Sequence, residues 1–243
     1  MDLIEKLKFH YRALRYKNKN DVGGIHYLIN NIKAGDTVLD IGAHKGGYLY
    51  FMLKRTGGTG KVFAFEPQSN LFQYLNQLSK IYKWKNVIIE QLALSDVKSE
   101  TTLFVPGHKK GNFSSPGATI ASEKIIEELS HTEKVNTDTL DNYCSKHQII
   151  PAFLKIDVEG NELRIFKGGI NTLRNSKPKI IVEIEDRHVG KNGVTNTINF
   201  LTDLGYTCKF IHGNTYRPLN EFDFEKHQNL GDMKNYCNNF IFE

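Results

Sequence analysis

The sequence predicts an α/β fold built on a doubly wound, mostly parallel sheet of seven strands. Strand and helix patterns alternate at short spacing from residue 37 onward, a glycine-rich turn follows the first strand, and the alternation resumes between residues 153 and 185. The 243 residues, 40% of them hydrophobic and 24% charged, are enough to bury a core without disulfides or metals.

Two amphipathic helices are predicted ahead of the sheet, over residues 3–16 and 24–33, because apolar residues recur there at helical spacing. We assign residues 1–34 to an N-terminal helical cap and residues 35–243 to the sheet domain. Much of the net charge of +5 lies in the first helix. A solvated basic face is the ordinary interpretation of such a helix, and a membrane surface or nucleic acid is the alternative partner.

The first half of the sheet is predicted from three strands that alternate with two helices. The strand patterns cover residues 37–41, 61–66 and 86–91, and the helix patterns cover residues 47–55 and 69–81. Because alternation at this spacing requires crossover connections, we expect these strands to be parallel.

The alternation breaks after Asp96. An extra strand is predicted over residues 100–105, followed by a glycine- and proline-rich loop over 106–117 and a helix near 122–129. We interpret residues 106–137 as a lid inserted into the domain, and we expect its loop to be mobile.

The second half of the sheet resumes after a helix over residues 140–147. Further strands and helices alternate to the end of the chain: strand 153–157, helix 162–174, strand 179–185, helix 195–204, strand 206–211 and strand 236–242.

The cysteines, the N-terminal segment and the lack of a long apolar run predict a cytoplasmic protein. Cys144, Cys208 and Cys237 are an odd number without a close pair, which favours neither a disulfide framework nor a C-x-x-C metal site. The N-terminus lacks the apolar stretch of a signal peptide, and no apolar run approaches the ~18 residues of a membrane span.

The turn after the first strand is the first candidate ligand site. It supplies Asp40, Gly42, Ala43, His44 and Gly46. The glycines let backbone approach a ligand, and the following helix offers unpaired N–H groups to a carboxylate or phosphate. His44 stands where a dinucleotide fingerprint requires glycine, so NAD is disfavoured. A turn needed only for tight packing is the alternative.

Glu66, followed by Pro67, ends the second strand with a carboxylate that can accept hydrogen bonds from both hydroxyls of a ribose. The alternative is a charge that faces the dipole of the next helix. After the third strand, the small stretch Ala93, Leu94 and Ser95 suits contact with an adenine ring, although a plain exit from the strand explains it equally well.

Acidic residues end the next two predicted strands, on the edge where open α/β sheets bind ligands. The candidate catalytic residues are Asp157, Glu159, Glu183 and His188. A carboxylate within a buried strand is costly unless it is paired or used, which favours a functional Glu183 over a structural ion pair. For His188, a solvated loop position remains open.

Several short segments together are similar to the motifs of a known family. They are Asp40-Ile41-Gly42-Ala43 with Gly46, Phe65-Glu66-Pro67, Ala93-Leu94-Ser95-Asp96, Thr139-Leu140-Asp141, Lys155-Ile156-Asp157-Val158-Glu159-Gly160 with Glu162, and Val182-Glu183-Ile184. On these segments, residues 35–242 resemble the FkbM family of methyltransferases, with the N-terminal helices outside the resemblance.

The resemblance implies a class I, Rossmann-like methyltransferase sheet and S-adenosylmethionine as cofactor. It also implies transfer of a methyl group to a hydroxyl of a sugar, glycan or related small molecule. The cofactor would lie against the glycine turn, Glu66, the stretch after the third strand and Asp157.

Removal of the hydroxyl proton requires a base or a metal ion. A neutral His188 or a carboxylate would serve as the base, or Asp157, Glu185 and Asp186 would hold Mg²⁺. Two other functions remain open on the same sheet. An RNA or protein methyltransferase would use the basic N-terminus, but no RNA-binding motif supports it. A non-catalytic cofactor-binding scaffold is disfavoured by the acidic groups at two strand ends.

Overall fold

The computed structural model describes residues 2–106, 117–120 and 130–243. The strands are β1 (Thr37–Ile41), β2 (Lys61–Phe65), β3 (Val87–Glu90), β4 (Ala93–Ser95), β5 (Ser99–Pro106), β6 (Ser130–Thr139), β7 (Phe153–Ile156), β8 (Lys179–Glu183), β9 (Cys208–His212), β10 (Thr215–Pro218) and β11 (Asn239–Phe242). The helices are α1 (Asp2–Arg15), α2 (Val22–Asn31), α3 (Leu49–Thr56), α4 (Ser69–Tyr82), α5 (Leu140–Lys146), α6 (Glu162–Lys167), α7 (Ile170–Ser176), α8 (Asp186–Asp203) and α9 (Phe224–His227).

Within the described residues, eight strands form one sheet in the order β10-β9-β11-β8-β7-β1-β2-β3. The five strands from β8 to β3 are parallel, and β11, β9 and β10 continue the sheet in antiparallel pairs. The predicted α/β fold with a mostly parallel sheet is confirmed. The sheet has one strand more than the seven predicted, because β10 is a short, largely exposed edge strand with no apolar alternation to mark it.

The two predicted N-terminal helices are present as α1 and α2, joined by a π-helical turn over Tyr16–Asn20. Both pack into the core on one face of the main sheet. Phe9 of α1 and Leu28 of α2 are fully buried in the same cluster as Val38 of β1. The Phe9 ring meets the Tyr82 ring edge-on, with the ring centroids 5.5 Å apart. The N-terminal cap is therefore attached to the sheet by core packing.

A second sheet follows the break after Asp96. Among the described residues it contains three strands in the order β4-β6-β5. β5 confirms the predicted extra strand, and it pairs with β6 from Ser99 opposite Thr137 to Pro106 opposite Ser130. Residues 130–137, the last part of the predicted lid, therefore belong to strand β6. Most of the loop predicted over 106–117 and the helix predicted near 122–129 lie outside the described residues.

Two predicted helices differ from the structure at glycines. The helix predicted over 162–174 is divided into α6 and α7 at Gly168 and Gly169. A Cβ at Gly168 would overlap the carbonyl oxygen of Ser95, so this close approach requires glycine. The helix predicted from residue 195 begins at Asp186 and carries a kink at Gly190, where φ is 71°. Among the described helices, none is long and apolar enough to cross a lipid bilayer.

We expect Phe9→Ala to lower the free energy of unfolding by about 3–5 kcal/mol, because it removes a buried ring from the core. Leu7→Ala changes a side chain on the exposed side of the same helix and should alter stability by no more than about 0.5 kcal/mol. Denaturant titrations measure both variants. Equal, small effects would contradict the packing of α1 on the sheet.

Candidate active site

A cleft with about 990 Å³ of open space, some of it continuous with solvent, lies at the carboxyl ends of β1, β2 and β7. Ten of the residues predicted to form a site line this cleft: Asp40, Gly42, Ala43, His44, Glu66, Pro67, Ala93, Leu94, Asp157 and Glu159. The cleft lining, as the described residues define it, does not include the other six: Gly46, Ser95, Glu183, Glu185, Asp186 and His188.

The glycine turn brings the ends of β1 and β7 into contact. Gly42 has a φ of 83°, and a Cβ at this position would overlap the carbonyl oxygen of Asp157. Only glycine allows this backbone approach. Gly46 also has a positive φ, but its Cβ would lie 3.0 Å from the Phe9 ring and 3.2 Å from Leu75. Packing against α1 and α4 thus explains the glycine at position 46.

Glu66 lies in the cleft wall, directly after β2, and its side chain is buried. One carboxylate oxygen accepts a hydrogen bond from the backbone N–H of His44 at 2.7 Å, and the other accepts one from the N–H of Gln68 at 2.9 Å. Each oxygen has a second lone pair available for a ligand hydroxyl. Burial raises the pKa of Glu66 to about 7, against the opposing effect of the two backbone hydrogen bonds.

Asp40 is a second buried carboxylate in the cleft wall. Among the described residues, its Oδ2 atom has no hydrogen-bond partner. Burial raises the pKa of Asp40 to about 7, while the charge of Lys155 acts in the opposite direction. A buried polar atom without a partner, next to an open cleft, is suited to a ligand donor.

Lys155 lines the cleft, although the sequence analysis used it only as part of a motif. Its ammonium lies 3.6 Å from the carboxylate of Asp157 and 5.0 Å from the ring centroid of Tyr48. Burial lowers the pKa of Lys155, but the carboxylates of Asp157 and Glu183 outweigh burial and raise it overall. A lysine inside the apolar run of β7 was the signal in the sequence, because a buried cation requires such compensation.

The N-terminal helices contribute to the cleft as well, which the sequence analysis missed. Arg12 and Tyr16 both line it. The guanidinium of Arg12 donates hydrogen bonds to the carbonyl oxygen of Lys45 at 3.2 Å and to the hydroxyl of Tyr74 at 3.0 Å. Burial and the charge of Arg12 lower the pKa of Lys45. Two cations therefore lie close together on one side of the cleft.

Glu159 lines the cleft, and its carboxylate contacts His188, which lies outside the cleft lining as described. The carboxylate of Glu159 lies 2.6 Å from Nε2 of His188. This pairing with Glu159 raises the pKa of His188, against the effect of burial. The shift favours the protonated form of His188 over the neutral base of the prediction. Glu159 has a φ of 55°, a left-handed conformation followed by Gly160.

The side chain of Asn238 bridges Glu183 and Glu185. Its Nδ2 atom donates hydrogen bonds to Glu183 at 2.7 Å and to Glu185 at 3.0 Å. Glu185 also accepts hydrogen bonds from Arg187 and Tyr236. Burial and the nearby Asp157 raise the pKa of Glu183 well above its ordinary value. Hydrogen bonds outweigh burial and lower the pKa of Glu185. The pKa values of these two neighbouring carboxyl groups are therefore shifted in opposite directions.

The Mg²⁺ alternative is not supported. No group of three or more His, Cys, Asp or Glu side chains within the described part of the chain is arranged to hold a metal ion. Glu185 is already committed to Arg187, Tyr236 and Asn238. The sequence could not reveal these partners because two of them lie 51 and 53 positions away.

Near β4, two of the three residues expected to contact an adenine ring line the cleft. Ala93 and Leu94 line the cleft, whereas the hydroxyl of the buried Ser95 donates to Asp96 at 3.2 Å. A residue that sequence analysis missed, Asn161, also lines the cleft and donates to the carbonyl oxygen of Leu94 at 2.9 Å. Among the described residues, Oδ1 of Asn161 has no hydrogen-bond partner.

An open parallel sheet with a glycine turn after its first strand, and a carboxylate after its second, is the arrangement of a class I methyltransferase. The sequence pattern of the methyltransferase FkbM domain matches residues 40–208. The chain therefore belongs to the FkbM methyltransferase family, as its motifs indicated. The match is shorter than the span of 35–242 expected from the motifs.

Two proteins that are similar to this chain are named as methyltransferases. A hexuronic acid methyltransferase of Haloferax volcanii, AglP, is 28% identical over 182 residues, which are 74% of this chain and 68% of the relative. The solved structure of a methyltransferase FkbM from Methylobacillus flagellatus KT has a TM-score of 0.55 at 13% identity, and the similarity covers 96% of this chain. The aligned part is only 53% of the Methylobacillus chain, and at this identity the likeness shows the fold alone.

We expect Glu66→Gln to weaken binding of S-adenosylhomocysteine, the demethylated product of the cofactor, because a neutral amide is a weaker acceptor for the ribose hydroxyls. The loss should be about 1.5–3 kcal/mol for each hydrogen bond to the charged group. Isothermal titration calorimetry measures it, and Glu100→Gln on the exposed side of β5 is the matched control. An affinity equal to that of the parent would exclude Glu66 as the ribose acceptor.

Affinity should also depend on pH. With a pKa of about 7 in the free protein, Glu66 becomes protonated as the pH falls through that value, so affinity should fall with it. Part of this dependence should disappear in Glu66→Gln, and the part that remains belongs to Asp40, whose pKa is also about 7. Identical pH profiles for the parent and the variant would contradict this assignment.

Proposed function

We propose that the chain transfers a methyl group from S-adenosylmethionine to a hydroxyl oxygen of a sugar or glycan. The observation that carries the proposal is the pairing of Asp157 with Lys155 inside the cleft. The carboxylate of Asp157 is half-buried, and it follows β7 at the point where the sheet meets the glycine turn. An acidic group of this kind can orient a hydroxyl and accept its proton.

The residues of the cleft fit the proposed cofactor. Glu66 would accept the ribose hydroxyls, and Ala93 and Leu94 would lie against the adenine. The unpartnered Oδ2 of Asp40 would accept a hydrogen bond from the amino acid end of the cofactor. When bound, the cofactor supplies a methyl group activated by a positively charged sulfur.

Asp157 is the proposed base, because it lines the cleft and His188 does not. The ammonium of Lys155 lies 3.6 Å from the carboxylate of Asp157 and holds it in place by charge. Glu159 faces the same space with its charge shared by His188, which suits a hydrogen bond to a neighbouring hydroxyl of the acceptor. Asp157 would accept the proton of the acceptor hydroxyl while the methyl group exchanges its bond to sulfur for a bond to that oxygen, which leaves S-adenosylhomocysteine as the second product.

A sugar acceptor is favoured by aromatic and charged residues that line the cleft together with Asp157. Tyr16 brings an aromatic ring that could contact the C–H groups of a sugar, and Arg12 and Lys45 offer cations to a carboxylate. The similar Haloferax protein is named a hexuronic acid methyltransferase, and a hexuronic acid carries such a carboxylate. These features support an acidic sugar as the first acceptor to assay.

We expect Asp157→Asn to lower turnover by about 10²–10⁴-fold, the usual effect of losing acid–base help, with little change in cofactor affinity. Glu183→Gln should lower turnover less, because Glu183 lies outside the lining of the cleft as the described residues define it. Asp36→Asn is the matched control, since Asp36 lies just before β1, at the opposite edge of the same sheet.

A radiolabelled methyl-transfer assay on a panel of neutral sugars, acidic sugars, RNA and protein measures these rates. The proposal requires label in a sugar and a slow Asp157→Asn variant. Label found only in RNA or protein would overturn the acceptor class. A parent rate in Asp157→Asn would overturn the assignment of the base.

A further inference from the structure

The outward side of α1 carries apolar side chains that the fold leaves uncovered. We call this surface the outer stripe, and it consists of Leu3, Ile4, Leu7, Tyr11 and Leu14. Leu7 is 62% exposed and Tyr11 is 69% exposed. At 100° per residue these side chains share one side of the helix, opposite the fully buried Phe9 and Ala13. Contiguous exposed apolar surface of this kind marks an interaction site.

Basic side chains border the outer stripe on both sides. Lys8, which pairs with Glu5, and Arg15 lie along one border, and Lys6 lies along the other. The first twenty residues contain six lysines and arginines against two acidic residues, a net charge of +4 out of +5 for the whole chain. The net positive charge of the protein is therefore concentrated in the segment that carries its exposed apolar helix face.

We propose that the outer stripe binds the surface of an anionic lipid bilayer. A helix with an apolar face between basic borders lies in the bilayer interface, with its apolar side chains among the acyl chains and its basic groups at anionic headgroups. In this orientation α1 lies parallel to the bilayer surface.

The charges around the outer stripe favour an anionic bilayer over other binding partners. A second copy of the chain packed stripe against stripe would bring the basic borders of both copies together, and like charges repel. Nucleic acid would satisfy the basic residues but would leave Leu7 and Tyr11 without an apolar partner. An anionic bilayer is complementary to both features at once.

The outer stripe lies close to the cleft, on the other side of the same helix. Arg12 and Tyr16, which follow the inner side of α1, line the cleft, so one helix separates the cleft from the bound surface. A helix with its side chains is about 10–12 Å in diameter. Bilayer attachment would therefore hold the cleft beside the headgroups, within reach of an acceptor displayed there.

The test is co-sedimentation of the full chain with vesicles of phosphatidylcholine alone and with vesicles that also contain phosphatidylglycerol. We expect binding to the anionic vesicles, little binding to the neutral ones, and weaker binding at high salt. The double variant Leu7→Ser with Tyr11→Ser should lower the partition coefficient on anionic vesicles by about tenfold or more, because it removes two of the apolar side chains.

The matched control is Ile150→Ser, which changes an apolar side chain that is 77% exposed and lies outside α1. It should bind vesicles like the parent. Calorimetry with S-adenosylhomocysteine on every variant reports whether the fold is intact, and it is independent of vesicle binding. A failed methyl-transfer assay would thus leave the vesicle result standing, because the two are measured separately.

Three results would overturn the proposal. The first is a parent protein that stays in the supernatant with both vesicle types. The second is equal binding of the parent to neutral and anionic vesicles, and the third is a stripe variant that binds as well as the parent. Sedimentation velocity without lipid adds a further outcome. A parent dimer that the stripe variant converts to a monomer would assign the outer stripe to self-association instead.

Discussion

The site depends on one close approach, between the backbone at Gly42 and the carbonyl of Asp157. A side chain at position 42 would overlap that carbonyl oxygen, so β1 and β7 can end side by side only with glycine there. This approach places the glycine turn, Asp40 and the Asp157–Lys155 pair around one cleft. Glu66 completes the arrangement because its carboxylate accepts the backbone N–H of His44 within the same turn.

Charge compensation inside the cleft follows from this geometry. Lys155 is buried, and its positive charge is balanced by the carboxylates of Asp157 and Glu183. Asp40 and Glu66, by contrast, are buried with pKa values raised to about 7, so each carries a cost that a ligand donor would relieve. Buried carboxylates of this kind are retained where binding or catalysis uses them.

The sequence was sufficient for features that depend on a few neighbouring residues. Gly42, Glu66 and Asp157 were predicted because each directly follows a recognisable apolar strand, and the strand ends of a parallel sheet meet at one edge. Arg12 and Tyr16 could not be assigned to the cleft, since their position depends on how α1 packs on the sheet. The Mg²⁺ alternative could not be judged from the sequence for a related reason, because the partners of Glu185 come from a distant segment.

The most direct test of this account is a crystal structure of the chain with S-adenosylhomocysteine. We predict that both ribose hydroxyls lie about 3 Å or less from the carboxylate oxygens of Glu66, with the sulfur on the side of Asp157. A complex in which the nucleoside lies outside this cleft, and Glu66 contacts only His44 and Gln68, would contradict the account.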